Sequence, residues 1–174
     1  MANRSYSHLY YHFVWATYYR DKSILPEWEY RMYGHIIYKS KLIGAIPIAL
    51  GGTDDHIHLM LRARPDSIPA DLIGKIKGAS SYFVNHTICS RPHFSWQKGY
   101  GAFSVSRNSI KSVIDYIRKQ KQHHKQGTIL PEYEKTDSED DEEESGIPEC
   151  VIADGVNDSD NESAFQPRHK CQGW

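Results

Sequence analysis

Cysteine is scarce and scattered. Cys89, Cys150 and Cys171 are the only three in 174 residues, and no two form a CxxC pair. That excludes a disulfide scaffold and a zinc ribbon, and it fits a reducing cytoplasm. No apolar run approaches the roughly 18 residues needed to span a bilayer, so no membrane partner is expected. The opening MANRSYSHLYYHF has no signal-peptide apolar core. No GxxxxGK[ST] loop occurs, which excludes that cradle for nucleoside triphosphates, and there is no internal repeat.

Charge is nearly absent in the sum and strongly divided along the chain. The net of −1 joins a body and a tail of opposite sign. Residues 1–131 hold 18 Lys/Arg and 8 acidic residues, a net of +10, whereas residues 132–174 hold 14 acidic residues and 3 Lys/Arg, a net of −11. A basic body points to a polyanionic partner, nucleic acid first. Hydrophobic residues at 39% and charged residues at 25% suit a globular domain, and the length allows one domain plus a tail. The stretch EKTDSEDDEEESG has no periodic apolar face and repels itself. A domain over 1–131 and a disordered acidic tail over 132–174 are therefore expected.

The body alternates between strand and helix periods. Residues 7–20, SHLYYHFVWATYYR, are rich in aromatics and read as a strand. Residues 25–44 read as a helix: Pro26 suits the first turn, Tyr30, Tyr33, Ile36 and Ile37 give a stripe, and Gly44 is the stop. Residues 45–52 read as a strand, with Pro47 placing it at an edge or a strand start. After the turn GGTDD, residues 56–64 form the next strand. Residues 67–88 read as a helix with Leu72, Ile76, Ala79 and Phe83 on one side. A strand with glycine interruptions lies within 95–106, and 108–125 reads as one helix capped by Asn108 or Ser109. The order β-α-β-β-α-β plus a third helix is the ferredoxin-like α+β plan, an antiparallel sheet. Two crossover helices cover one sheet face and leave the other for the last helix.

The strand HIHLMLRA carries the chemistry. Side chains alternate along a strand, so Ile57, Leu59, Leu61 and Ala63 share one face and His56, His58, Met60 and Arg62 the other. Two imidazoles on one face can share a metal ion, or simply bond to neighbours. The last helix carries a stripe of Ile110, Val113, Ile114 and Ile117. Tyr116 and Gln120, four apart, lie together on its flank. That flank brings a phenol and an amide to the histidine face, although a tyrosine at a core edge is equally ordinary.

HLYYHFVWAT, GGTDDHIHLMLRARPDSIPADLIGKIKGASSYFVN and FSWQKGYGAFSVSRNSIKSVIDYIRKQKQHHK together resemble single-tyrosine transposases of the insertion-sequence-200-like family, REP-associated tyrosine transposases among them. These belong to the HUH endonucleases, named for His-hydrophobe-His. The specific signature is HxH followed about 60 residues later by YIxxQ and HH. The resemblance implies His56, His58 and Gln120 as ligands of a divalent metal, Mg2+ or Mn2+, and Tyr116 as nucleophile. It implies metal-dependent cleavage and strand transfer on single-stranded DNA hairpins through a 5′-phosphotyrosine, by a homodimer. His123 and His124 also look family-like, without an assigned role, and the acidic tail departs from the family pattern. A host-adopted repeat-processing endonuclease and a non-catalytic single-strand-binding module are the alternatives. Candidate base-stacking residues are Trp15, Tyr18, Tyr19, Trp96 and Tyr100. Candidate phosphate contacts are Arg62, Arg64, Lys75, Lys77, Arg107, Lys111 and Arg118.

Overall fold

Strand β1 (Leu9–Ala16) runs through the middle of a four-stranded antiparallel sheet. The computed structural model describes residues 6–88 and 93–136; the three cysteines and the expected tail beyond 136 lie outside them. After β1 come α1 (Pro26–Leu42), β2 (Ile46–Gly52), β3 (His56–Ala63), α2 (Pro69–Phe83) and β4 (Gly101–Ser104). The sheet order is β2-β3-β1-β4, the ferredoxin-like arrangement. Two further helices follow, α3 (Ile110–Arg118) and α4 (Gln120–Gln126). Among the described residues no helix is long and apolar enough to cross a membrane.

Alternation sorts β1 and β3 as their sequences indicate. Phe13, Trp15, Ile57, Leu59 and Leu61 join Met32, Ile36, Ile73 and Ile76 of α1 and α2 in the main core. Burying each such side chain contributes about 1.5–3 kcal/mol. The opposite face packs Met60 and Ala49 against Val113 and Ile117 of α3 in a smaller core. In α1 the buried stripe is Trp28, Met32 and Ile36, spaced by four, while Tyr30 of the expected stripe is exposed.

Several boundaries differ from the sequence pattern. The first strand ends at Ala16, and Tyr18–Arg20 make a tight 3-10 turn. The second helix runs only to Phe83 before a π turn over Val84–Ile88. Ser109 holds the N-cap position of α3 without a side-chain cap bond, and Ser106 caps the 3-10 turn ahead of it, accepting a bond from the Ser109 amide.

The largest correction is that 108–125 is not one helix. Lys119 has φ −102 and ψ 13 and separates α3 from α4. No proline or glycine lies there to signal the break. The end of α3 instead presses on β2, where a Cβ at Gly51 would stand 2.4 Å from the Ile117 carbonyl oxygen. Close approach fixes α3, and α4 resumes after Lys119 until Gly127, with φ 65, stops it. The chain then turns back through Pro131–Tyr133 and passes β4. A Cβ at Gly101 would meet the Lys135 carbonyl oxygen at 2.1 Å, so glycine is required at this crossing. Residues 132–136, on the tail side of the expected boundary, therefore lie against the sheet.

Candidate active site

His56 and His58 stand on the β3 face that α3 covers, and both are fully buried. Antiparallel register sets His58 opposite Val14 of β1. The side chain of His12, two residues before Val14 and on the same face, reaches across so that its Nε2 lies 2.9 Å from His58 Nδ1. Burial, then the neighbouring His58, push His12 down to about 3, so it is neutral. Burial likewise holds His58 below the usual imidazole range against the opposing pull of Glu134. His12 Nε2 and His58 Nδ1 share one proton, and His58 Nε2 faces the site, 3.4 Å from Glu134 Oε2.

The GGTDD turn fixes the other imidazole. His56 Nδ1 lies 2.5 Å from Asp55 Oδ1 and 2.8 Å from the Thr53 hydroxyl, which itself donates to Asp55 at 2.6 Å. Burial works to raise the Asp55 carboxyl, but the hydrogen bonds from His56 and Thr53 outweigh it and hold the group ionised. A carboxylate on Nδ1 fixes the tautomer and leaves Nε2 of His56 as an acceptor.

Glu134 completes the cluster. Its Oε2 lies 3.3 Å from His56 Nε2 and 3.4 Å from His58 Nε2. Gln120 Oε1 lies 3.4 Å from His56 Nε2, and Gln120 Nε2 is 3.4 Å from Glu134 Oε1. His124 Nε2 is 3.8 Å from Glu134 Oε1, and His56, His124 and Glu134 can together offer ligand atoms to one metal ion. Burial tends to raise the Glu134 carboxyl, yet His58, the Tyr116 hydroxyl and His56 bring it down to about 2.

The Nε2 atoms of His56 and His58, Gln120 Oε1 and Glu134 Oε2 thus converge on one space, and with both imidazoles protonated on Nδ1 a cation relieves that arrangement. Their 3.3–3.4 Å spacings approach the roughly 3 Å between adjacent ligands of a small octahedral ion. The residues present fit a divalent metal.

Tyr116 stands beside this cluster. Its hydroxyl donates a short hydrogen bond to Glu134 Oε1 and accepts one from the Leu130 amide at 3.2 Å. The ring stacks on His123 at 5.0 Å and meets His58 edge-on at 5.9 Å. Burial, then the bond to Glu134, push the phenol up to about 12.

The structure gathers His56, His58, Tyr116 and Gln120, even though the last two sit on different helices. It gives His123 and His124 positions, one against the Tyr116 ring and one on Glu134. His12 and Glu134 are the residues that sequence reasoning passed over. His12 had a faint signal, a histidine of the right parity inside an apolar strand. Glu134 had only Pro131 and Tyr133 ahead of it in an acidic stretch.

Other candidates resolve differently. Trp15 is fully buried, and Trp96 and Tyr100 pack on the main core, so none of the three offers a free stacking face. Lys77 is buried and donates to the carbonyls of Lys98 and Gly99 at 3.1 and 2.6 Å, a structural role rather than a phosphate contact. Tyr18 and Tyr19 are exposed.

Known proteins resemble this chain in sequence and in fold. Residues 5–120 match the family model described as "Transposase IS200 like". The ISDra2 transposase TnpA of Deinococcus radiodurans is 27% identical over 115 residues, which cover 63% of this chain and 82% of that protein. The crystal structure of a Deinococcus radiodurans R1 protein described as a transposase aligns at 28% identity with a TM-score of 0.54, over 69% of this chain and 97% of that one. A REP-associated tyrosine transposase bound to a REP hairpin shares the fold at 15% identity, with a TM-score of 0.53 over 74% of this chain and 76% of that one.

Proposed function

The chain belongs to the IS200-like transposase family, and from that premise we propose that it cleaves and rejoins single-stranded DNA at hairpin ends through a covalent bond to Tyr116. One observation carries the reading. The Tyr116 hydroxyl donates to a carboxylate whose other oxygen faces Nε2 of both His56 and His58. A phenol placed against a ligand cluster suits nucleophilic attack on a phosphodiester and has no purpose in a binding module.

In the proposed step the Tyr116 oxygen bonds to phosphorus while the bond from phosphorus to the 3′ oxygen breaks. The phenol loses its proton and the 3′ oxygen gains one, giving a 5′-phosphotyrosine and a free 3′-hydroxyl. Attack by another 3′-hydroxyl reverses the exchange. The phosphodiester energy is retained, so no nucleotide cofactor is required. Glu134 orients the phenol. With its carboxyl near 2 and the phenol near 12, it is far too weak a base to take the proton unaided.

His56, His58, Gln120 and Glu134 would hold the metal, with His124 at the edge of the set. The ion supplies positive charge that offsets the phosphodiester and favours the phenolate. Oxygen ligands suit Mg2+, while the imidazoles favour Mn2+. A hairpin is the proposed substrate because a relative of the same fold is described as bound to one. In the same reading the protein acts in the cytoplasm as a homodimer. The test incubates the full chain with a single-stranded DNA hairpin and Mn2+ and looks for a denaturation-resistant protein–DNA adduct. Absence of an adduct across hairpin sequences, with binding retained, would leave the non-catalytic reading in its place.

A further inference from the structure

One histidine beside the cluster, His12, is fully buried and has no part in the proposed reaction. Its Nε2 lies 2.9 Å from His58 Nδ1. The two rings are 19° from parallel, with centroids 5.1 Å apart. The two nitrogens span nearly all of that separation, so the bond lies in the plane of both rings, where an imidazole N–H or lone pair points. Phe103, opposite His12 in the β1–β4 register, and Tyr133 enclose the ring at centroid distances of 5.7 and 5.4 Å. The Nδ1 of His12 has no hydrogen-bond partner. A buried nitrogen left so is uncommon and points to a task at the other end of the ring.

That task concerns which nitrogen of His58 carries the proton. A neutral imidazole donates from one nitrogen and accepts at the other. For His56 the choice is made at Nδ1 by Asp55 and Thr53. Among the described residues, His12 is the one hydrogen-bond partner of His58 Nδ1. Across the ring, Glu134 Oε2 faces His58 Nε2 at 3.4 Å. The two neighbours make opposite demands. A carboxylate at Nε2 favours a proton there, which covers the lone pair. An acceptor at Nδ1 draws the proton to the far side of the ring and bares Nε2.

We propose that His12 is a positioning residue whose Nε2 accepts the Nδ1–H of His58, so that His58 offers its Nε2 lone pair to a divalent metal. The proton of His12 itself then sits on Nδ1, between Phe103 and Tyr133. The inference rests on the metal reading above and deepens it, because it names the residue that makes His58 a ligand. An imidazole does this without adding charge. With the carboxylates of Asp55 and Glu134 already at the site, a third at position 12 would leave it net negative even around a divalent ion.

The experiment titrates Mn2+ into the full chain by calorimetry. His12→Phe and His12→Leu fill the space without an acceptor, and either serves if the other does not fold. His12→Gln restores an acceptor at about the reach of Nε2. The apolar variants should bind Mn2+ about 10–100-fold more weakly, while His12→Gln should stay within a few-fold of the unmodified chain. Metal-free thermal midpoints should move by no more than about 8 °C, because each apolar variant removes one unpartnered nitrogen and leaves another. Unchanged Mn2+ affinity in the apolar variants, or an equal loss in His12→Gln, overturns the inference and leaves the metal site standing. So does a larger drop in midpoint common to all three variants, which would make His12 a packing residue. Failure of the unmodified chain to bind Mn2+ overturns the metal reading and this inference together.

Discussion

Glu134 sits where the phenol, the amide and three imidazoles meet, so single substitutions around it test the proposed nucleophile and the proposed metal site separately. Tyr116→Phe keeps the ring and removes the attacking oxygen. The adduct should vanish while hairpin affinity, measured by fluorescence anisotropy, stays within a few-fold. A Tyr116→Phe protein that still forms the adduct would move the nucleophile to another tyrosine. His56→Ala and His58→Ala should each abolish cleavage, and Gln120→Ala should weaken it with partial recovery in excess Mn2+. Full activity of a double histidine variant in EDTA would rule the metal site out. Glu134→Gln keeps the shape and removes the charge, so Mn2+ affinity by calorimetry should drop about 10–100-fold. The same titration has a stability counterpart. Mn2+ at 100 times its Kd should stabilise the fold by about 2.7 kcal/mol, and that gain should disappear in His58→Ala. Strand parity and the four-residue interval are local rules that set His56 beside His58 and Tyr116 near Gln120, and the family resemblance supplied the roles expected of them. His12 depends on the register that sets Val14 against His58, a pairing between distant strands that no local pattern encodes. Glu134 belongs to a stretch whose composition speaks only of repulsion, and its chemistry arises from where the chain folds back. It also lies beyond residue 120, where the family match ends.

At the scale of elements, the sheet order and the crossover helices follow from periodicity, whereas the break between α3 and α4 does not. The stripe of Ile110, Val113, Ile114 and Ile117 is satisfied by α3, and Lys119 carries no intrinsic stop. Contact decides it, through the Ile117 carbonyl over Gly51. Gly51→Ala should therefore push α3 off β2, lower stability by about 1–3 kcal/mol in thermal unfolding, and displace Tyr116 enough to depress cleavage. Gly101→Ala acts elsewhere. It collides with the Lys135 carbonyl and with Val14, and so should weaken Mn2+ binding much as Glu134→Gln does. Unchanged Mn2+ affinity in Gly101→Ala would show that the returning segment is not what positions the carboxylate.

For the whole molecule the decisive quantity is the placement of charge. Residues 1–136 carry 19 Lys/Arg and 10 acidic residues, and residues 137–174 carry 2 Lys/Arg and 12 acidic residues. A tethered polyanion competes with DNA for a basic surface at an effective concentration that can reach millimolar. Deleting 137–174 should tighten hairpin binding, more at low salt than at high salt, and steepen the salt dependence. Equal affinities and slopes across a salt series would mean that the acidic segment ignores the DNA site. Deleting 132–174 removes Glu134 as well and should forfeit metal affinity that the shorter deletion keeps. The return of residue 134 to the sheet also bears on when the enzyme exists at all. A ribosome releases His12, His56 and His58 first and Tyr116 later, and the carboxylate that touches this phenol follows 18 residues after it. At bacterial or eukaryotic elongation rates that interval is about 1–4 s. The Tyr116 phenol thus leaves the ribosome without its partner, and every strand of the sheet is already made when the last contact becomes available. Synthesis order alone keeps the proposed cleavage centre unfinished until its scaffold is complete.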